Sequence, residues 1–335
     1  MTNKIDVIIP AYNTTDDNLF KCLASVACQS ISKELLVTIV DDSSEKENYA
    51  EVAKLFEKQL EIQIVKTPAN GGCGVARQCG IDYTSNPYFT FLDTDDTLNG
   101  AFALEALRLG IESKEANYNV CVGNFDEVQY NPTYGPIVIP HDNDFTWMHG
   151  KLYRRSYIDA QNIRFHETSR ANEDGGFNSI IKLMVDKDNQ VKFIPARVYY
   201  WHENSASITR ANNGNYAYGT SKRDSFFGYA ENQIYAIKEV YKRQPNNPNL
   251  LPYSVTCMIN LYTYYLEVCE KFPENAPQNL EWCKWFYNEI YKDLEVPDEM
   301  FKRIYFECLR NKYQSNTFIG VVPELTFADF LKLLQ

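Results

Sequence analysis

No run of apolar residues in this 335-residue chain is long enough to cross a bilayer. The start, Met1-Thr2-Asn3-Lys4, leads directly into a strand-like stretch and lacks the pattern of a secretory signal. The expectation is an intracellular, cytoplasmic protein without an integral membrane segment. No C-x-x-C occurs among the nine cysteines, and neither they nor the four histidines fall at zinc-ligand spacing. The cysteines read as free thiols of a reducing compartment. Walker A sequences, internal repeats and low-complexity tracts are also missing. Positive charge is scarce: 33 Lys and Arg face 44 Asp and Glu, for a net charge of −11. The deficit lies mostly in residues 1–214, with 20 cations and 29 anions, against 13 and 15 in residues 215–335. Such acidity suits cation binding and disfavours a wide surface for nucleic acid. One local exception, Lys151, Arg154, Arg155, Arg164 and Arg170, could face an anionic ligand or form a solvated helix face.

What the chain does have is Phe91-Leu92-Asp93-Thr94-Asp95-Asp96, three carboxylates in four positions behind the strand-like Tyr88-Phe89-Thr90. Side-chain alternation along an extended chain would point Asp93 and Asp95 the same way, to share one cation, while Asp96 turns aside. Oxygen ligands of this kind suit Mg²⁺ or Mn²⁺. The same residues also read as an acidic turn capping the next helix.

Strand-like runs at 5–10, 35–40, 62–65 and 88–92 alternate with helical spacing around Leu19 to Ala27, at about 46–58 and from Val75 to Ile81. This alternation predicts an α/β domain with a mostly parallel sheet covered on both faces. Ligands of such sheets sit beyond the carboxyl ends of the strands, where Tyr12, Asp41, Asp42 and Asp93 to Asp96 fall. A helix at about 99–116, a strand at 119–125, a loop-rich stretch at 130–148, a helix near 173–186 and a strand at 191–201 complete the domain, taken as 1–214. Residues 215–335 form a second, all-helical domain, with Tyr, Phe and Trp at helical spacing near 222–243, 250–271, 278–294, 297–312 and 326–334. Such an aromatic stripe reads as core.

Gly72-Cys73-Gly74-Val75-Ala76-Arg77 lacks the third glycine of a dinucleotide fingerprint and lies in the third unit of the sheet, which argues against a Rossmann dehydrogenase. A glycine-rich turn before a helix still suits a phosphate neighbour, with Arg77 set to contact a diphosphate or hold a carboxylate. Glu173-Asp174 opens a predicted helix, either as ordinary N-terminal acids or as a general base. His202 stands in the polar loop Trp201 to Arg210, where a lone histidine is more often structural than a ligand.

Together these pieces resemble the family 2 glycosyltransferases of the GT-A fold. The matching residues run in the family's order: Val7 to Asn13, Val40 to Ser44, Asn70-Gly71-Gly72 with Ala76-Arg77, Phe91 to Asp96, Glu173-Asp174, and His202 with Ser207-Ile208-Thr209. The match covers about residues 4–210 and leaves the helical third uncovered.

The resemblance implies a Rossmann-like GT-A domain and a UDP-sugar donor held by Pro10, Ala11, Tyr12, Asn70, Gly71 and Thr94. Ala11 and Tyr12 would pack on the base, and Asp42 or its neighbour Asp41 would hydrogen-bond it. Arg77 would stand behind the nucleotide and Asp93 near the ribose or donor sugar. Asp95 would hold Mn²⁺ or Mg²⁺ with His202, and Asp174 would act as base, oriented by Glu173 or exchanging roles with it. Ser207, Thr209 and Arg210 would close over the diphosphate. Thr94, Cys73 and Cys79 depart mildly from the residues usual in the family.

The implied reaction is inverting transfer from a UDP-sugar to an acceptor hydroxyl. The acceptor expected first is a polysaccharide or other glycoconjugate, and then a protein side chain or a modified nucleobase. A sugar-nucleotide pyrophosphorylase would carry a glycine-rich, arginine-bearing loop after the first strand, where this chain has Pro10-Ala11-Tyr12-Asn13. The third reading is an inactive nucleotide-sugar or carbohydrate-binding module, which has no need of Asp93, Asp95, Asp174 and His202 together. The helical domain would cover the acceptor cleft or form a homodimer contact.

Overall fold

Isoleucine, leucine and valine fill Ile5–Ala11 (β1) and Leu35–Asp41 (β2), which are buried along almost their whole length. Strands covered on both faces need continuous apolar sequence of this kind. A computed structural model of the chain describes residues 5–45, 49–185, 190–204, 225–314 and 325–335. It divides into two compact units, Met1–Asn204 and Ser205–Gln335. The expected boundary at 214, like Ser207, Thr209 and Arg210, lies outside the described residues.

In the first unit β1 and β2 are followed by Glu61–Lys66 (β3), Tyr88–Phe91 (β4), Thr97–Leu98 (β5), Val120–Asn131 (β6), Gly135–His141 (β7), Lys151–Arg154 (β8) and Val191–His202 (β9). The sheet order is β3-β2-β1-β4-β8-β6-β9-β5, with β7 paired to β6. The run β3-β2-β1-β4 is parallel throughout. Beyond it the sheet is mixed: β8 is antiparallel to β4 and β6, β9 is parallel to β6, and β5 is antiparallel to β9. Helices Asp16–Ala27 (α1), Tyr49–Lys54 (α2), Cys73–Tyr83 (α3), Ala103–Ile111 (α4), Arg155–Ala160 (α5) and Glu173–Met184 (α6) belong to this unit. Thr15 caps α1 by accepting from the Asn18 N–H, and Leu19, Cys22, Leu23 and Val26 bury one face of it.

Three sequence expectations are corrected. The helix expected at 99–116 is only Ala103–Ile111, because Thr97 and Leu98 pair with β9 and Gly100 turns with a φ of +74°. The helix expected at 46–58 is described as Tyr49–Lys54 alone. The stretch taken as loop at 130–148 contains the β6–β7 hairpin. Pro136 and Pro140 stand four positions apart on β7, an edge strand, where neither need donate to the ladder.

The second unit contains Ser225–Arg243 (α7), Leu250–Lys271 (α8), Ala276–Phe286 (α9), Asp298–Gln314 (α10) and Phe327–Leu334 (α11). Phe226, Ala230, Ile234, Ile237 and Val240 line one face of α7, and Trp282, Phe286, Tyr262 and Phe330 are buried in the same unit. The aromatic stripe is core.

One buried ion pair ties β1 to α5. Arg155 Nη2 lies 2.9 Å from Asp6, whose carboxylate also accepts from the Asn86 backbone and side-chain amides. The same guanidinium donates to the carbonyls of Ile81 and Asn86 and to Thr84, and packs over Phe89. Replacing Arg155 with Met strands the Asp6 charge among apolar strands, at a cost of about 3–5 kcal/mol. A lowered urea midpoint for the first unit's unfolding is the expected reading, and an unchanged midpoint would refute it.

Candidate active site

Parallel strands end together, and here the ends of β1, β2 and β4 carry the chemistry. Ala11 pairs with Asp41 in register, the Asp42 N–H donates to the Ala11 carbonyl (2.8 Å), and the Leu92 N–H donates to the Ile8 carbonyl (3.1 Å). Pro10 and Ala11 are buried, and Tyr12 is about half exposed just past the strand.

Asp41 and Asp42 serve the loops in this structure. Asp41 accepts from the Ser44 N–H (2.8 Å) and stands 3.1 Å from Lys66 Nζ. Asp42 takes the Gly71 N–H (2.9 Å) and the Thr67 hydroxyl (2.9 Å) on one oxygen, and the Gly72 N–H (2.7 Å) on the other. It therefore supplies the anion that the start of α3 favours. Gly72 has a φ of +91°, and a Cβ on Gly71 would fall 2.5 Å from the Val75 side chain. Asn70 is gripped by Arg170, which donates to its side-chain oxygen (2.7 Å) and its carbonyl (2.9 Å).

The turn after β4 departs from simple alternation. The Asp96 N–H donates to the Asp93 carbonyl (3.1 Å), so residues 93–96 curl instead of running extended. Asp96 does not turn aside. It is buried and accepts from the Tyr199 hydroxyl (2.6 Å) and the His202 N–H (2.8 Å), tying the turn to β9. Thr94 shares a hydrogen bond with Thr14 (2.8 Å). Asp95 accepts from the Asn204 amide (2.7 Å), and burial with the nearby charge of Asp93 pushes its carboxyl up. His202 Nε2 is 2.9 Å from the Thr97 hydroxyl, and burial lowers the ring's basicity. A neutral imidazole is the form that can ligate a metal.

Arg77 joins this turn to α6. Its two terminal nitrogens lie 2.7 Å from Asp93 and 2.7 Å from Glu173, and its side chain is only 5% exposed. The first turn of α6 follows Asn172, which takes a left-handed φ of 58°. A Cβ on Gly74 would come within 2.9 Å of Glu173, so glycine there lets α3 and α6 approach. Asp174 keeps one backbone bond, from the Gly175 N–H (2.7 Å). Burial first, and then the Glu173 charge, push its carboxyl up to about 7, while Arg77 pulls the other way. A carboxylate titrating near neutrality is suited to proton transfer.

The acids gathered here exceed the cations, and the set of carboxylates and imidazoles fits a divalent cation. Among the described residues, Asp93, Asp96 and His149 bring ligand atoms within 4.8 Å of one another. His149 was not anticipated from sequence. It is buried, its Nδ1 has no hydrogen-bond partner, and it stands 3.9 Å from Asp96. Nothing near it in sequence announces this, because β8, β9 and the turn after β4 meet only in the sheet. The basic cluster expected to face an anion is mostly spent internally. Lys151 is buried against the carbonyls of Trp147 and His149, Arg154 donates to the carbonyls of Tyr118 and Ile111, and Arg155 pairs with Asp6.

Comparison with known proteins gives this geometry a context. The chain is 25% identical over 224 residues to the uncharacterized glycosyltransferase EpsJ of Bacillus subtilis, covering 61% of this chain and 62% of that protein. It is 25% identical over 248 residues to a poly(ribitol-phosphate) beta-glucosyltransferase of Bacillus spizizenii, covering 70% and 37%. The matched stretch thus spans less than two thirds of either relative. In structure the chain resembles S. aureus TarS 1–349, solved in complex with UDP-GlcNAc, with a TM-score of 0.68, 16% identity, and coverage of 95% and 93%, a likeness of fold. The architecture is that of the GT-A fold followed by a helical region. The model of Glycosyl transferase family 2 matches residues 6–171, the stretch that supplies β1, β2, β4 and Arg77. On that match and these relatives, the chain belongs to glycosyl transferase family 2.

Proposed function

We propose that the protein is an inverting, metal-dependent glycosyltransferase that moves a sugar from a UDP-sugar to an acceptor hydroxyl of a glycan or glycoconjugate. The observation that carries this reading is the chain Asp93–Arg77–Glu173, with Asp174 next in sequence. A single buried guanidinium fixes the base helix against the acidic turn. The UDP-GlcNAc held by TarS supports UDP as the nucleotide. The first unit is the catalytic one. The acidity of the chain keeps a nucleic-acid acceptor out of favour.

Tyr12 is the exposed ring for the base, beside Pro10 and Ala11. Asp41 and Asp42 act on the donor through the loops they hold, with Asn70 and Gly71 presented by Asp42 and Arg170. Asp93 and Thr94 border the donor sugar. Ser207, Thr209 and Arg210 keep their proposed part in closing the diphosphate site. Asp95 and His202 are the residues that would hold Mn²⁺ or Mg²⁺. When bound, the ion neutralises charge that builds on the leaving diphosphate. Asp174 takes the proton of the acceptor hydroxyl as that oxygen bonds to the anomeric carbon. The bond from that carbon to the diphosphate breaks, and its electron pair leaves with UDP. One displacement inverts the configuration. Glu173, held by Arg77, keeps Asp174 in place and raises its affinity for the proton.

Two measurements test this. Purified protein with Mn²⁺ and a panel of UDP-, GDP- and TDP-sugars, without acceptor, should slowly release UDP from one donor. EDTA or Asp95→Ala should abolish the release, and cleavage indifferent to both would refute the metal assignment. With an acceptor, kcat/KM should rise with pH as Asp174 loses its proton, through a limb centred near 7. Below that limb the base is protonated and idle. Asp174→Asn should lower kcat by about 10²–10⁴-fold and remove the limb. A limb that survives the substitution belongs to another group.

A further inference from the structure

We propose that Arg170 is a positioning residue that carries the state of the donor loop, residues 67–72, to the helix bearing the base. The inference rests on the glycosyltransferase reading and adds to it a link between donor binding and the placement of Asp174.

The donor loop is held from two sides. On one, Asp42 takes the Gly71 N–H (2.9 Å) and the Gly72 N–H (2.7 Å), and the Thr67 hydroxyl donates to the Ala69 carbonyl (2.9 Å). On the other, Arg170 closes a fork on Asn70, with Nη1 2.7 Å from the side-chain oxygen and Nη2 2.9 Å from the carbonyl. A planar guanidinium holds two acceptors at a fixed spacing, which a lysine does not. The stem of the arginine also lies against the loop, because a Cβ on Gly72 would stand 3.1 Å from Arg170 Cδ.

Arg170 precedes Asp174 by four positions, and the chain between them is braced. The Ser169 hydroxyl donates to the Ala171 carbonyl (3.1 Å), Asn172 holds its left-handed φ of 58°, and Arg77 pins Glu173 at 2.7 Å. Upstream, Phe165 joins the two helices: its N–H donates to Gln78 of α3 (3.0 Å), and its ring stacks on Phe177 of α6 with centroids 4.3 Å apart. The base is itself within electrostatic reach of the loop. At Cys73, the residue after Gly72, burial pushes the thiol up, Arg77 opposes this, and the charges of Asp93, Glu173 and Asp174 push it further up. A displacement of Asn70 by a bound donor therefore reaches the first turn of α6 through bonded and packed groups, and does not dissipate in slack chain. By the same linkage, an aligned base favours a bound donor.

The test uses the full chain with saturating UDP and Mn²⁺. Backbone hydrogen exchange in the first turns of α6, followed by mass spectrometry, should slow when UDP binds to the wild type. Arg170→Ala should still bind UDP, with a Kd within about threefold of wild type, yet lose most of that slowing, and its kcat with donor and acceptor should fall by about tenfold or more. A residue that merely stabilised the fold would raise exchange equally with and without UDP. Arg170→Lys, which keeps the charge and reaches one of the two acceptors, should fall between the two. Should the alanine variant fail to fold, a lysine variant indistinguishable from wild type overturns the inference. It is overturned too if Arg170→Ala keeps the full slowing, or if exchange in the wild type ignores bound UDP. A Kd for UDP raised about tenfold with kcat intact would make Arg170 a direct diphosphate contact and overturn it as well. A wild type that neither binds UDP nor cleaves a donor would instead sink the transferase reading.

Discussion

The first unit depends on one guanidinium. Arg77 is buried between Asp93 and Glu173, and each pair measures 2.7 Å. Taking an arginine out of water is costly unless its charge is matched, and here two carboxylates from separate elements match it. The burial raises the strength of both contacts, and the two contacts fix the distance between the turn after β4 and the start of α6. Gly74 makes the approach sterically open, and Phe91 lies under the guanidinium at 5.9 Å. Loss of this bridge would leave two acids facing each other across the site with no cation between them.

The surplus of negative charge around that bridge is the second organising fact. Asp93, Asp95, Asp96, Glu173 and Asp174 share one arginine, and burial first, then the neighbouring carboxylate charges, makes Asp95, Asp96 and Asp174 hold protons more tightly than usual. Structure accounts for each differently. Asp96 is satisfied by Tyr199 and the His202 amide and works as a rivet between strands. Asp95 accepts from the Asn204 amide and is less buried than Asp96. Asp174 stands closest to proton-transfer chemistry, because its raised affinity sits near neutral pH.

The basic cluster shows how a sequence pattern can mislead. Lys151, Arg154, Arg155, Arg164 and Arg170 fall within 20 residues, and together they suggest an anion site. In the fold they diverge: Lys151 and Arg154 cap carbonyls, Arg155 pairs with Asp6, Arg164 with Asp82 and Arg170 with Asn70. Charge counted along a chain predicts a ligand only when the side chains stay on one face.

The strands β1 to β4, the helices α1 and α3, the acids at the strand ends and the helical second unit were legible in the residues themselves. Apolar runs ended by proline, glycine or aspartate carry that information locally, through periodicity and turn chemistry. The order of the motifs was enough to indicate the family. The β6–β7 hairpin was hidden by prolines that an edge strand tolerates, and the curled turn at 93–96 by an alternation rule that stops where the strand does. Only the tertiary structure decided that Asp41 and Asp42 hold loops, that Arg77 bridges two halves of the site, and that His149 stands beside Asp96. Those facts depend on strands far apart in sequence becoming neighbours in a sheet, and long-range pairing leaves no mark at the spacing of a motif.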